Sequence, residues 1–268
     1  FTAIVSDLHL TEAEPVNIKF PLWKKYKTRE FFFDEIFGDF LKHLQEKAEE
    51  KNPGKKVELV LNGDIFDFDS VTALPEEPTF RIFWIEKMRG LFPRSERAKF
   101  KIQVILSHHK VWVQKLSDFI KEGNRVIFVF GNHDLELHFL DVQNEIRAAM
   151  DLSSEEQQRL RFVELFYISN TDTLIEHGSQ YDPYGACEDP VSPFSQGYNY
   201  KTIRLPFGNL TCRYILNGLG FFNPHVESNF IMSLKEYIRF FLKYMLRAQP
   251  SLMIDWFFGA VVSLWISF

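Results

Sequence analysis

The chain of 268 residues is poor in cysteine and lacks repeats, a signal peptide and a dominant charge. With only Cys187 and Cys212 there is no disulfide framework to read, and a reducing compartment such as the cytoplasm is the expectation. A formal net charge of −5 gives no overall pull toward nucleic acid, and none is expected as a partner. An anionic membrane surface would have to be met by a local patch. The most apolar stretch, 252–268, is shorter than the roughly 20 residues that a bilayer span takes. The chain opens inside the strand-like run Phe1-Thr2-Ala3-Ile4-Val5 and closes inside an apolar run, so both ends read as cut from a longer protein.

Apolar side chains, by contrast, are abundant. Hydrophobic residues make up 46% of the chain, enough for one substantial α/β domain or a core with a smaller attachment. There are 29 phenylalanines where average usage would give on the order of ten, an excess that needs a large core, a partner surface or a lipid surface.

Short β-rich runs recur along the chain. Residues 2–5 stop at Ser6-Asp7; 57–61 run into Asn62-Gly63-Asp64; 126–130 run into Gly131-Asn132-His133-Asp134. A pair of strands is predicted over 162–168 and 173–175, the second leading into Glu176-His177-Gly178. Between them, 24–50 has helical periodicity through Phe31, Phe32, Ile36, Phe40, Leu41 and Leu44, and 111–121 predicts a second helix ending at Gly123. Residues 70–110, with prolines, aromatics and a basic piece, read as an insertion beside a core spanning 1–200.

Four times, then, an apolar strand ends in Asp, His or Asn. In open α/β sheets the carboxyl ends of strands are where loops converge into a ligand crevice. Asp7 and His9, two positions apart, can both turn toward one cation; Asp64 and Asn132 each follow a glycine that lets the backbone turn sharply. Carboxylate, imidazole and amide oxygen suit Mn, Fe or Zn better than a thiolate-selected metal. Taken alone, a strand-end Asp is more often a turn former or helix cap, and a lone histidine more often structural. It is the order DxH, GDxxD (63–67), GNHD (131–134), HG (177–178), each after a strand, that makes coincidence a poor account.

That series resembles the motifs of calcineurin-like metallophosphoesterases over roughly residues 1–185. The resemblance implies a four-layered α/β/β/α core and two divalent cations, Mn first with Fe or Zn as alternatives. By motif position Asp7 and His9 would hold the first cation, Asp64 would bridge both, and Asn132 and His177 would hold the second. His133 would protonate a leaving oxygen or hold a phosphate oxygen, Asp134 would orient it, and Asp67 would support the metal shell from behind. The family's late GHxH motif does not occur in these 268 residues, where the only later histidine is His225. Either the motif lies beyond Phe268, which is the expectation, or this version does without it; in the second case a scaffold that has lost catalysis is the alternative.

The resemblance implies a phosphate ester or pyrophosphate as substrate. The Ser-Asp-Leu-His-Leu opening and the Gly-Asp-Ile-Phe-Asp-Phe segment are similar to bacterial hydrolases of UDP-2,3-diacylglucosamine, which carry Arg where this chain has His133. Lys235, Arg239, Lys243 and Arg247 recur every four residues opposite an aromatic-rich face, the pattern of a helix lying in a membrane interface. With the apolar run that follows, 201–268 reads as a helical, membrane-facing segment, and a lipid-linked phosphate or pyrophosphate is the first-choice substrate. The alternative is a soluble phosphodiesterase acting on nucleotides or phosphoproteins.

Overall fold

The computed structural model describes residues 1–12, 33–195, 200–216 and 251–267, with Lys235, Ile238, Arg239 and Leu242 between them. Its centre is a parallel sheet in the order β1 (Thr2–Val5), β2 (Glu58–Asn62), β3 (Arg125–Val129) and β4 (Leu160–Val163). In register, Val5 faces Leu61, Leu61 faces Phe128 and Phe128 faces Phe162, so all four strands end together. Because β2 and β3 are covered on both faces, they read as continuous apolar runs rather than alternating ones.

Alternate residues separate the two faces. Leu59, Leu61, Val126 and Phe128 point to a core built with α1 (Asp34–Lys51), α3 (Ser95–His108), α4 (Lys110–Lys121) and α5 (Leu140–Ala149). Val60, Ile127 and Val129 point the other way, onto Ile175 and Tyr167 of a hairpin formed by β5 (Phe166–Ser169) and β6 (Thr173–Glu176). The run 162–168 is therefore not one strand. Phe162 and Val163 finish β4, and after Glu164 and Leu165 the chain starts the antiparallel pair on the opposite face.

Helix α1 buries Phe37, Leu41, Leu44 and Ala48, the i, i+4, i+7, i+11 stripe of one helical face, whereas Ile36 is 70% exposed. Phe31 and Phe32, counted with it from sequence, lie outside the described residues. Asp34 and Glu35 sit in the first turn and Lys51 in the last, which complements the helix dipole. Asp34 also accepts hydrogen bonds from Trp112 N–H and His109 Nδ1, while His109 Nε2 donates to the carbonyl of Thr11. The second histidine of the His108-His109 pair is thus a buried structural tie between helices and the first strand loop.

In the stretch 70–110, α2 (Trp84–Arg89) sits at the periphery, whereas α3 contributes Ala98, Ile102 and Ile105 to the main core. After residue 200 come a short α6 (Phe207–Thr211), a π-helical turn (Cys212–Leu216) and α7 (Ser251–Ser267). Gly259 lets α7 close on this turn, since a Cβ there would lie 2.3 Å from the Tyr214 carbonyl oxygen. The Phe258 ring meets Trp84 and lies under the Arg89 guanidinium. The basic helix expected through Lys235, Arg239, Lys243 and Arg247 falls outside the described residues, except for Lys235, Ile238, Arg239 and Leu242. Among the described residues no helix is long and apolar enough to cross a membrane.

Trp112 is fully buried, its ring stacked 5.5 Å from Phe37 and edge-on to Phe66 at 5.8 Å. Trp112→Ala should cost about 3–5 kcal/mol of stability, the range for emptying a large aromatic site. Chemical denaturation checks this, and a change below about 1 kcal/mol would show that α1 and α4 do not depend on that ring.

Candidate metal centre

The four motif loops meet at the carboxyl end of the sheet. The loops after β1 and β2 run side by side, with Asp7 N–H donating to Gly63 O, His9 N–H to Asp64 O and Leu10 N–H to Ile65 O. Phe68 N–H reaches the His133 carbonyl, and Asn62 Nδ2 donates to the Glu176 carbonyl, which ties in the loops after β3 and β6.

Crowding here explains the glycines. A Cβ on Gly131 would lie 2.2 Å from Asp64 Oδ1 and 2.4 Å from its nitrogen; one on Gly63 would fall 2.3 Å from the His177 ring. Asp7, His9 and Asp64 all have left-handed backbones, with φ of 57°, 47° and 53°. Such conformations cost on the order of 1–3 kcal/mol each and persist where the surroundings over-determine them, as at functional sites.

Asp64 is central. Its Oδ1 accepts the backbone N–H of His133 at 2.8 Å. Its Oδ2 lies 3.3 Å from His177 Nε2 and 3.9 Å from His9 Nε2, and the latter is 4.0 Å from Asp7 Oδ1. One carboxylate oxygen is therefore flanked by two imidazole nitrogens, one of them shared with Asp7. His177 Nδ1 donates to the Asn62 carbonyl at 3.0 Å, which leaves Nε2 for the site. His9 likewise turns Nδ1 toward Asp67 Oδ2, 4.0 Å away.

Two sets of ligand atoms could each hold a cation, Asp7 with Asp64 and His177, and His9 with Asp67 and His133. The nitrogen that His9 directs at Asp7 and Asp64 is Nε2, and Asp67 faces its Nδ1 from behind. His9 thus stands between the two sets, with one ring nitrogen toward Asp7 and Asp64 and the other toward Asp67. Oxygen and imidazole donors fit a hard or borderline divalent cation, and the space that the two glycines keep clear lies against Asp64 and His177. Asn132 adjoins this group through the His133 N–H bond, and its Nδ2 donates to Asn209 Oδ1 at 3.3 Å.

Asp134 departs from its expected role. Its carboxylate accepts the backbone N–H groups of Gly131, Ile65 and Phe66 and so holds two site loops together. The carboxylate beside the His133 ring is that of Asp67, with Oδ1 3.5 Å from Nδ1. The reason is positional, because Asp134 directly follows His133 and turns into the protein at the start of a 3-10 turn (Leu135–His138).

The electrostatics follow the geometry. Burial alone would raise the Asp64 carboxyl, but the His133, His177 and His9 imidazoles outweigh it and hold it at about 2. Burial likewise opposes charge on His177, yet the hydrogen bond and charge of Asp64 raise it to about 9. His133 is raised well above its usual value, since Asp64 and Asp67 overcome its burial. Asp134 is pushed up to about 7 by burial and by the charge of Asp64.

Two acids and two bases buried behind the site escaped the sequence reading. Asp69, Lys101, Glu136 and Arg213 are each at most 1% exposed. Burial and the neighbouring Arg213 draw Lys101 down to about 7, and burial with Asp69 draws Glu136 up to about 7. Asp69 stands two residues after Asp67 and could have been suspected from that acidic density; Arg213 carries no such signal. Elsewhere, a cavity of about 590 Å³ opens at the amino ends of the strands, lined by Phe1, Lys56, Arg125 and Arg159, and is remote from this chemistry.

A family model described as calcineurin-like phosphoesterase matches residues 2–196, nearly three quarters of the chain and all four motif loops. The chain belongs to that family. Its members are phosphoric ester hydrolases that use divalent metal ions, which accords with the two donor sets found here. No curated protein and no solved structure gives a match.

The cation-free site carries a pH signature. Stability from the lowered Asp64 is present above its usual value of 3.8 and disappears only as pH falls through about 2. Stability from the raised His177 is complete below 6.5 and is lost as pH rises through about 9. In chelator, the melting temperature should therefore fall between pH 6.5 and 9, and saturating divalent cation should remove the fall. A flat profile in chelator would show that Asp64 does not hold the proton on His177.

Proposed function

We propose that the chain hydrolyses a phosphate ester or pyrophosphate bond at a two-cation centre. The observation that carries this is Asp64 Oδ2, set between His177 Nε2 and His9 Nε2 at the mouth of the sheet. Asp7, His9 and Asp64 would hold one cation, and Asp64, Asn132 and His177 the other. When bound, the cations, manganese foremost, would lower the pKa of water into the neutral range and neutralise charge on the phosphoryl group.

The chain's own residues supply the rest. Asp64, shared between the two sets of donors, would offset the mutual repulsion of two bound cations. His133, whose proton the charges of Asp64 and Asp67 favour against burial, is placed to donate to the leaving oxygen or to a phosphate oxygen. Asp67, backing both His9 and His133, keeps the two rings oriented. Asp134 acts through the backbone that it holds rather than on the substrate.

A membrane lipid-linked phosphate or pyrophosphate is the substrate we favour, with the protein attached at the membrane surface. Ile254, Phe257, Val261, Leu264 and Trp265 lie at helical spacings along α7 and are between 48% and 79% exposed. Trp84 and Met88 of α2 are exposed as well, and α2 touches α7 through Phe258. Exposed apolar patches rimmed by polar residues mark interaction sites. The division into a core over 1–200 and a surface-seeking segment over 201–268 belongs to the same reading, as does the four-layered sandwich, for which the helices, sheet and hairpin supply three layers. The partial likeness to UDP-2,3-diacylglucosamine hydrolases points to the same kind of substrate.

Asp64→Ala should reduce hydrolysis of an aryl phosphodiester to background while leaving the circular dichroism spectrum unchanged. Retained hydrolysis would remove Asp64 from the bridging role. Purified wild-type chain should carry close to two cations, and one that takes up none after loading with manganese would instead be a scaffold. For the surface, vesicles containing anionic lipid should co-sediment the chain and blue-shift its tryptophan emission, and Trp265→Ser should weaken both effects. Recovery of the wild type wholly in the supernatant would argue for a soluble nucleotide or phosphoprotein substrate.

A further inference from the structure

One contact to the motif loops comes from beyond the family domain. Asn209, in α6, is fully buried. Its Nδ2 donates to Asp69 Oδ2 at 2.6 Å and to the Asn132 carbonyl at 2.8 Å, and its Oδ1 accepts Asn132 Nδ2 at 3.3 Å. Both the backbone and the side chain of Asn132 are therefore gripped by one amide, which is itself anchored to the acidic loop after β2. An amide that receives its neighbour's N–H on its own oxygen fixes that neighbour's amide plane and leaves the neighbour's oxygen out of the pairing.

The surroundings hold Asn209 in place. Gly208 N–H donates to the Tyr184 carbonyl at 2.8 Å, and a Cβ on Gly208 would meet that oxygen at 2.9 Å. Arg213, fully buried one turn later, donates to the Leu91 carbonyl and lies close enough to Asp69 to act on its charge. A short helix of five residues would not persist alone, so its position is set by these contacts.

We propose that Asn209 is a positioning residue for Asn132, presenting the Asn132 side-chain oxygen to the second cation. This rests on the assignment of Asn132 to that cation. The segment after the family domain would then complete the centre rather than only cover it.

The test is a double-mutant cycle on manganese binding, followed by titration calorimetry and elemental analysis. Asn209→Ala should weaken one of the two manganese sites by about tenfold or more, the usual cost of losing a partner of a metal ligand. The other site should change little, and the melting temperature in chelator should fall, because three buried hydrogen bonds are lost. In an Asn132→Ala background, removing Asn209 should weaken manganese binding no further. Thr211→Ala, on the same helix but bonded only to the Phe207 carbonyl, serves as a control that should bind as wild type. If Asn209→Ala melts below the assay temperature, the near-isosteric Asn209→Leu takes its place in the cycle, since it fills the same volume with no oxygen to face the Asn132 amide. Two wild-type affinities in the Asn209 variant, or a loss that persists without the Asn132 side chain, would overturn the role of Asn209 alone. A wild-type chain that binds no manganese would overturn the two-cation reading and this role with it.

Discussion

The Asp64 carboxylate is where the loops of this protein become mutually dependent. One oxygen takes the His133 backbone N–H, so the loop after β3 cannot move without it. The other faces His9 and His177, on loops that come from the sheet edge and from the hairpin. Putting an acid here requires a left-handed residue, a glycine before it and a second glycine opposite, each of which surrenders backbone freedom. The sheet, flush at its carboxyl end, supplies the rigid frame on which that arrangement can be held.

In the absence of cations the site holds its charge in balance by protons. The lowered Asp64 carboxyl and the raised His177 imidazole are two views of one attraction, and a divalent ion would replace the positive charge that the imidazole carries. Asp134 shows the complementary use of an acid. Buried against backbone N–H groups and disfavoured as an anion by its neighbour, it serves as a clamp between loops. The same residue type thus has two functions a few ångströms apart, distinguished by what each carboxylate accepts.

Much of this was legible in sequence, for physical reasons. Strands β2 and β3 are apolar without interruption because both faces are buried, and the polar residues that follow them stand out by contrast. Gly63 and Gly131 are visible because only they permit the approach of Asp64 and His177. Less was legible where a decision depends on distant partners. The apolar run over 162–168 contains no mark of its switch from one sheet to the other. Leu41 and Leu44 of the stripe read in α1 are buried, but the turn before them buries Phe37 in place of Ile36, because Phe37 meets Trp112 from another helix. Asn209 and Arg213 sit in a segment without a motif, and their importance comes only from the fold bringing them to Asp69 and Asn132.

The parallel pairing of β1, β2 and β3 has a consequence for how the molecule forms. Parallel neighbours cannot be joined by a tight turn, so each pairing must wait for a long stretch of chain to close. The candidate cation ligands come one or two from each such closure. Contact orders of this kind slow folding and leave apolar strands exposed meanwhile. A nascent chain would have the means to fold around its helices long before it had the means to hold a cation.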